Sequence, residues 1–129
     1  MSTNNPEVVA LLSKATTSFD EAKLLLDNNY YNTAVNRIYY ACFYAINALL
    51  INRSITAKSH SGVKQMFGLH FVTPGIISKE LGKFYTEIFE MRQEGDYEFF
   101  TFFEKEEVTV LLAPAQQLIK QIESILSKQ

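Results

Sequence analysis

An all-α fold, an up-and-down bundle of four long helices plus one short helix, is predicted by three features of this chain. Apolar residues recur in steps of three and four over long stretches, glycine and proline are scarce, and one stretch is apolar on nearly every side. Five Gly and three Pro in 129 residues are too few for a β-sandwich or barrel, whose chain reverses about every ten residues. With 47% hydrophobic and 20% charged residues, the sequence is too apolar for disorder, and its length suits one domain over residues 1–129.

The first helix is expected over Pro6–Asp27, where Val8, Leu11, Ala15, Phe19, Ala22 and Leu26 share one face. Pro6 suits a first turn, which has no use for its missing N–H, and Asn5 is placed to cap it. Asn28-Asn29 breaks the pattern. A second helix, Tyr31 to Asn52, carries Ala34, Ile38, Ala41, Ala45 and Leu49 on one stripe and Tyr40, Phe43, Tyr44, Leu50 and Ile51 around the rest, so it belongs at the centre of the bundle, where Tyr39, Tyr40 and Tyr44 bring bulk and hydroxyls that need partners. Its most apolar window, Ile38–Ile51, has 14 residues and contains Asn47, short of the ~20 of a membrane span. A polar connection, residues 53–62, leads to a short helix around Val63–Phe71, closed by the turn Thr73-Pro74-Gly75.

The next helix, Ile76 to about Gly95, turns Ile77, Leu81, Phe84, Ile88 and Met91 inward and sets Arg92 at the seam. Tyr97 to Phe103, with Phe99, Phe100 and Phe102, reads as a loop that lids one end of the bundle. The last helix starts near Glu104, and its acids Glu104, Glu106 and Glu107 suit the positive end of a helix dipole. Pro114 lies within its pattern, so a kink or lost hydrogen bond is expected near Val110.

Much chemistry is excluded. Glycines at 62, 68, 75, 82 and 95 are never spaced as a phosphate-cradling loop, which removes Rossmann and P-loop nucleotide binding. His60 and His70 form no metal-ligand pattern, so no metal and no cofactor are assigned. Cys42 has no partner for a disulfide and reads as a small core hydrophobe. The residues Met1–Glu7 lack the pattern of a signal peptide, and a cytoplasmic location is expected. The net charge of −2 confines any nucleic-acid contact to a local patch.

Two arginines on crowded apolar faces stand out, Arg37 and Arg92, the second within Met91-Arg-Gln-Glu-Gly-Asp-Tyr97. A half-buried guanidinium needs a carboxylate or several carbonyls. Asp96 is the nearest candidate, and an internal network of Arg, Asp96 and Tyr hydroxyls is one reading. The other is an anion or phosphate pocket built from both arginines with Tyr40 and Tyr97 beside them.

The strings Ala34-Val-Asn-Arg37-Ile-Tyr-Tyr40-Ala-Cys-Phe43, Leu49-Leu50, Lys58-Ser-His60-Ser-Gly62-Val63 and Arg92-Gln-Glu-Gly-Asp96-Tyr97 resemble the HEPN domain in its small stand-alone prokaryotic branch, over residues 30 to 125. The resemblance implies a helical bundle that forms homodimers and is often encoded beside a minimal nucleotidyltransferase in toxin–antitoxin pairs. Many members are metal-independent ribonucleases whose Arg is followed four to six residues later by His on the penultimate long helix, two such sites meeting at the dimer interface. There the His moves protons and the Arg stabilises phosphorane charge.

Arg92 keeps the arginine of that motif, but Asp96 and Tyr97 occupy the place of the histidine and no His follows His70. His60 would supply the imidazole only if its loop folded towards Arg92; otherwise it starts or packs a helix. The candidate ligand-binding residues are therefore Arg37, Tyr40, His60, Arg92, Asp96 and Tyr97, with no catalytic residue assigned. The expected function is a HEPN-like subunit associated with nucleotide or RNA, dimeric through the second helix and the 76–95 helix, working with a minimal nucleotidyltransferase in a toxin–antitoxin-like or defence pair. The alternatives are an active metal-independent endoribonuclease and a non-catalytic interaction module.

Overall fold

Both long N-terminal helices occupy the spans that apolar periodicity predicts: α1 is Pro6–Asp27 and α2 is Tyr31–Asn52. A computed structural model describes residues 5–98 and 100–128; Met1–Asn4 of the N-terminal reading, Phe99 of the aromatic connector and Gln129 lie outside the described residues. Asn5 caps α1 as expected, its Oδ1 accepting from the Glu7 N–H at 2.8 Å. The break at Asn28-Asn29 is a left-handed closure. Asn29 sits at φ 68°, the Tyr30 N–H reaches the Leu25 carbonyl at 2.8 Å and the Asn29 N–H reaches that of Leu26 at 3.1 Å. The same pair of bonds closes α2, from Ile55 to Leu50 and from Ser54 to Ile51, both at 2.9 Å, with Ser54 at φ 58°.

Helix α2 is the axis of the molecule. At 22 residues it is long and apolar enough to cross a bilayer by length and composition, longer than its most apolar window suggested. Here it is a core helix: Ala34, Val35, Ile38, Ala41, Ala45 and Leu49 are among its buried residues, and the other five helices pack around it. Cys42 is fully buried within it, and desolvation pushes its thiol far up, which keeps it protonated and inert.

The short helix differs from expectation at both ends. Helix α3 is His60–Phe67, started by Ser59, whose Oγ accepts from the Gly62 N–H at 2.9 Å, and it continues into a π-helical turn over Gly68–Val72. Helix α4, Lys79–Tyr97, begins at the Ser78 cap and not at Ile76. It also runs past Gly95, so Asp96 and Tyr97 are helical and keep register with Arg92.

The aromatic connector is a partial lid. Asn32 of α2 pins it at two points, donating to the Thr101 carbonyl at 2.8 Å and accepting from the Phe103 N–H at 2.9 Å. Phe103 is buried against Gly95, where any Cβ would sit 3.0 Å from its ring. Phe100 and Phe102, however, are 92% and 76% exposed, so the expectation that the whole run covers the bundle end is corrected. The Pro114 kink resolves as a full break into α5, Lys105–Thr109, and α6, Leu112–Ser127. Proline offers no N–H to the Val110 carbonyl and its ring crowds that turn. Among the described residues the bundle therefore has the four long helices predicted, α1, α2, α4 and α6, with two short α-helices instead of one.

Ser54 is exposed and locked in a conformation that costs a residue with a Cβ about 1 kcal/mol or more. Ser54→Gly should therefore raise the melting temperature by about 2–5 °C. Asn32→Ala, which strands the Phe103 N–H and frees the connector, should lower it; calorimetry of both variants checks the pair.

Candidate functional site

Helical spacing brings two polar stripes face to face. On α4, Tyr85, Phe89, Arg92 and Asp96 follow in steps of four, three and four, one stripe along one side of the helix. On α2, Asn36, Tyr39, Tyr40 and Phe43, at i, i+3, i+4 and i+7, likewise share one side. The start of α3 adds His60. Their meeting makes an aromatic stack with a guanidinium inside it.

The Arg92 guanidinium carbon lies 4.8 Å from the centre of the Tyr39 ring and 5.9 Å from that of Tyr40. Only 6% of the residue is exposed. Its Nη1 is 3.6 Å from Asp96 Oδ2, and its Nε is buried without a hydrogen-bond partner. Cation–π attraction of roughly 1–2 kcal/mol per desolvated ring offsets part of the lost hydration. Even so, the polar capacity of this side chain is incompletely filled.

His60 stands at the other end of the stack. Its ring lies on Phe43 at 4.4 Å and 13° and beside Tyr39 at 5.7 Å, and its Nδ1 is 2.7 Å from the Tyr39 hydroxyl. Tyr85, at 3.4 Å, donates its hydroxyl to that of Tyr39. Tyr39 is left to donate to Nδ1, which places the proton of a neutral His60 ring on Nε2. Burial, and then the charge of Arg92, lower the pKa of His60 below its ordinary value. Burial raises the phenols of Tyr39 and Tyr85, and Arg92 pulls both partly back. The imidazole is thus within the electrostatic reach of Arg92, as the loop-folding alternative required, and at the same time it is the first residue of α3.

Arg37 takes a more open position. Its Nε and Nη2 donate to Asn36 Oδ1 at 3.1 and 2.9 Å, its Nη1 is 3.5 Å from Glu21 with 28% of the side chain exposed, and its guanidinium carbon is 5.1 Å from the Tyr40 ring centre. Asn36 in turn donates to Asp96 at 3.2 Å. Arg37 and Asp96 are therefore linked through Asn36, not paired directly. Tyr40 stands between two guanidinium groups.

Five of the six candidates, Arg37, Tyr40, His60, Arg92 and Asp96, share one connected cluster. Tyr97 does not complete it: the residue is 77% exposed and borders a depression with Asn32, Asp96 and Thr101. Arg92 is not at an open seam but under the rings. The sequence reading missed Asn36 as the bridge, for which its place beside Arg37 on a crowded apolar helix was the available signal. Tyr39 is legible in the sequence as a phenol in need of a partner, but nothing local names His60 as that partner. Among the described residues no cluster of His, Cys, Asp and Glu could hold a metal.

A family model described as HEPN domain matches residues 8–125. The chain belongs to the HEPN family. Relatives span archaea and bacteria. A Thermotoga maritima protein named "UPF0332 protein" is 43% identical over 88% of this chain and 86% of its own. Two Methanocaldococcus jannaschii proteins, both named "Putative toxin", are 40% identical over 70% of this chain and 68% of theirs, and 37% identical over 82% and 72%. In this HEPN chain Arg92 is buried, and the only imidazole in its cluster among the described residues, His60, comes from α3 rather than from α4.

Because His60 is depressed in the fold, the unfolded chain binds the extra proton between the folded pKa and 6.5. Stability held above 6.5 is therefore lost as pH falls through that window. NMR titration of His60 should show a midpoint below 6.5 that moves up in Arg92→Gln, since removing the neighbouring charge removes one of its two causes. A midpoint indifferent to Arg92 would contradict the coupling.

Proposed function

We propose that this HEPN protein is the toxin-like half of a two-component pair and that it binds a phosphate of RNA or of a nucleotide where Arg37, Tyr40 and His60 surround Arg92. The single observation that carries the proposal is the Arg92 guanidinium, more than nine-tenths buried, with Nε unpartnered and only a long contact to Asp96. A fold that needed nothing from this charge would satisfy it or replace it, because an under-solvated guanidinium costs several kcal/mol. Placed under Tyr40, it adds positive potential in a low-dielectric surround to the face that Arg37 opens to solvent. An incoming phosphate would meet the outer guanidinium and the His60 Nε2–H, with Arg92 behind them.

The names of the two Methanocaldococcus jannaschii relatives support the toxin-like part. A minimal nucleotidyltransferase as the other half of the pair, and a homodimer across α2 and α4, belong to the same proposal. They rest on the family resemblance.

A second reading, metal-independent RNA cleavage, is favoured by one observation, the 2.7 Å contact between Tyr39 and His60. Carrying a second proton, His60 would be a general acid for the leaving oxygen of a phosphodiester through its Nε2–H, with the Tyr39 oxygen then accepting from Nδ1–H and holding the ring in place. Asp96 is no substitute, since it would set negative charge against the phosphodiester.

Polarisation titration with labelled short RNAs at low salt separates these readings. Arg37→Gln should weaken binding about tenfold and flatten its salt dependence, while His60→Gln weakens it less. Equal binding by all three proteins removes the proposal. Cleavage in EDTA that disappears in His60→Gln establishes the second reading, and no cleavage leaves binding alone.

A further inference from the structure

The π-helical turn of residues 68–72 and α4 enclose a cleft of about 400 Å³, within the size range of small-ligand sites. Phe67, Val72 and Tyr85 form its apolar floor, and three lysines, Lys64, Lys79 and Lys83, stand around it. No carboxylate lines it among the described residues, and none of the three lysines joins an ion pair among them. Lys64 is held in place instead by the Phe89 ring, 4.5 Å from its Nζ.

Two glycines shape this cleft in opposite ways. A Cβ at Gly82 would fall 2.9 Å from Val72, so its absence lets the π-helical turn settle close to α4. A Cβ at Gly68 would meet nothing within 4 Å, so no packing demand excludes a side chain there, although glycine is a poor helix former. That bare backbone leaves the space open. The π-helical geometry of the same turn is a departure that recurs at functional sites.

The uncharged polar side chains in the cleft are already engaged. Thr86 donates to the Gly82 carbonyl at 3.3 Å and Tyr85 donates to Tyr39. Little remains to read the edge of a nucleobase. The chemistry that fits is an apolar body with one negative head.

We infer that this cleft is a binding site for a small amphipathic anion, a carboxylate or phosphate monoester on an aliphatic or aromatic body. The body lies on Phe67, Val72 and Tyr85, and the head is met by the lysines. This site is separate from the Arg37 face and stands or falls without it.

The probe is 1-anilinonaphthalene-8-sulfonate, followed by fluorescence on the native, fully folded protein. Saturable binding is expected, displaced by octanoate or octyl phosphate but not by octanol; whichever of the two displaces better identifies the head group. Lys64→Gln combined with Lys83→Gln should weaken it about fivefold or more. Gly68→Leu should abolish it by filling the space, with the melting temperature retained, and Arg37→Gln should leave it unchanged. Binding unaffected by the lysine pair, or octanol competing as well as octanoate, overturns the inference. Should Gly68→Leu fail to fold, the lysine pair, which is on the surface, decides alone.

Discussion

A guanidinium enclosed by aromatic rings is the constraint around which the centre of this bundle is arranged. Arg92 cannot be stripped of water inside an all-α core unless something replaces that water, and three substitutes meet it: the Tyr39 and Tyr40 ring faces and, at longer range, Asp96. Each substitute imposes a position on another element. The rings fix the rotation of α2, and Asp96 requires α4 to continue past Gly95, which would otherwise be a natural place for it to end.

The consequences spread from there. The phenol of Tyr39, whose ring covers Arg92, turns to the imidazole of His60 and so ties the start of α3 to the core. Asp96, recruited by Arg92, takes a hydrogen bond from Asn36, which also holds the outer guanidinium of Arg37. One buried charge thus orders a second, partly exposed charge and an imidazole around Tyr40. This gives the physical basis for reading the face as an anion site. The positive groups are pre-positioned by the fold and need no ligand to assemble them.

The fold was largely legible in the sequence because helix periodicity and caps are local signals. Pro6, Asn5 and the Asn28-Asn29 break located α1 and the turn to α2. Where tertiary packing decides, the reading slipped. Ile77 is apolar and buried but precedes α4, because the Ser78 cap governs where that helix starts. Pro114 announced a disturbance but not that the chain would separate into two helices. For the site, single residues were legible and their connections were not. Arg37, Tyr40, His60, Arg92 and Asp96 all announced themselves by type and place. Whether Arg92 faced solvent, and whether residue 60 would reach it from 32 positions earlier in the chain, depended on how α3 packs against α2. The outward Tyr97 was misread because a helix continuing through it points it away from the rings.

Arg92→Met, a neutral side chain of similar length, tests the central claim most directly when thermal stability and RNA affinity are measured on the same preparation. If the buried charge is kept for its field at the anion site, the variant melts at the same temperature or higher, since it removes an under-solvated charge while the Asp96 left behind is about one-third exposed and keeps its hydrogen bond from Asn36, while RNA affinity falls about tenfold. A melting temperature lower by about 10 °C or more with RNA affinity unchanged would show that Arg92 serves the fold alone.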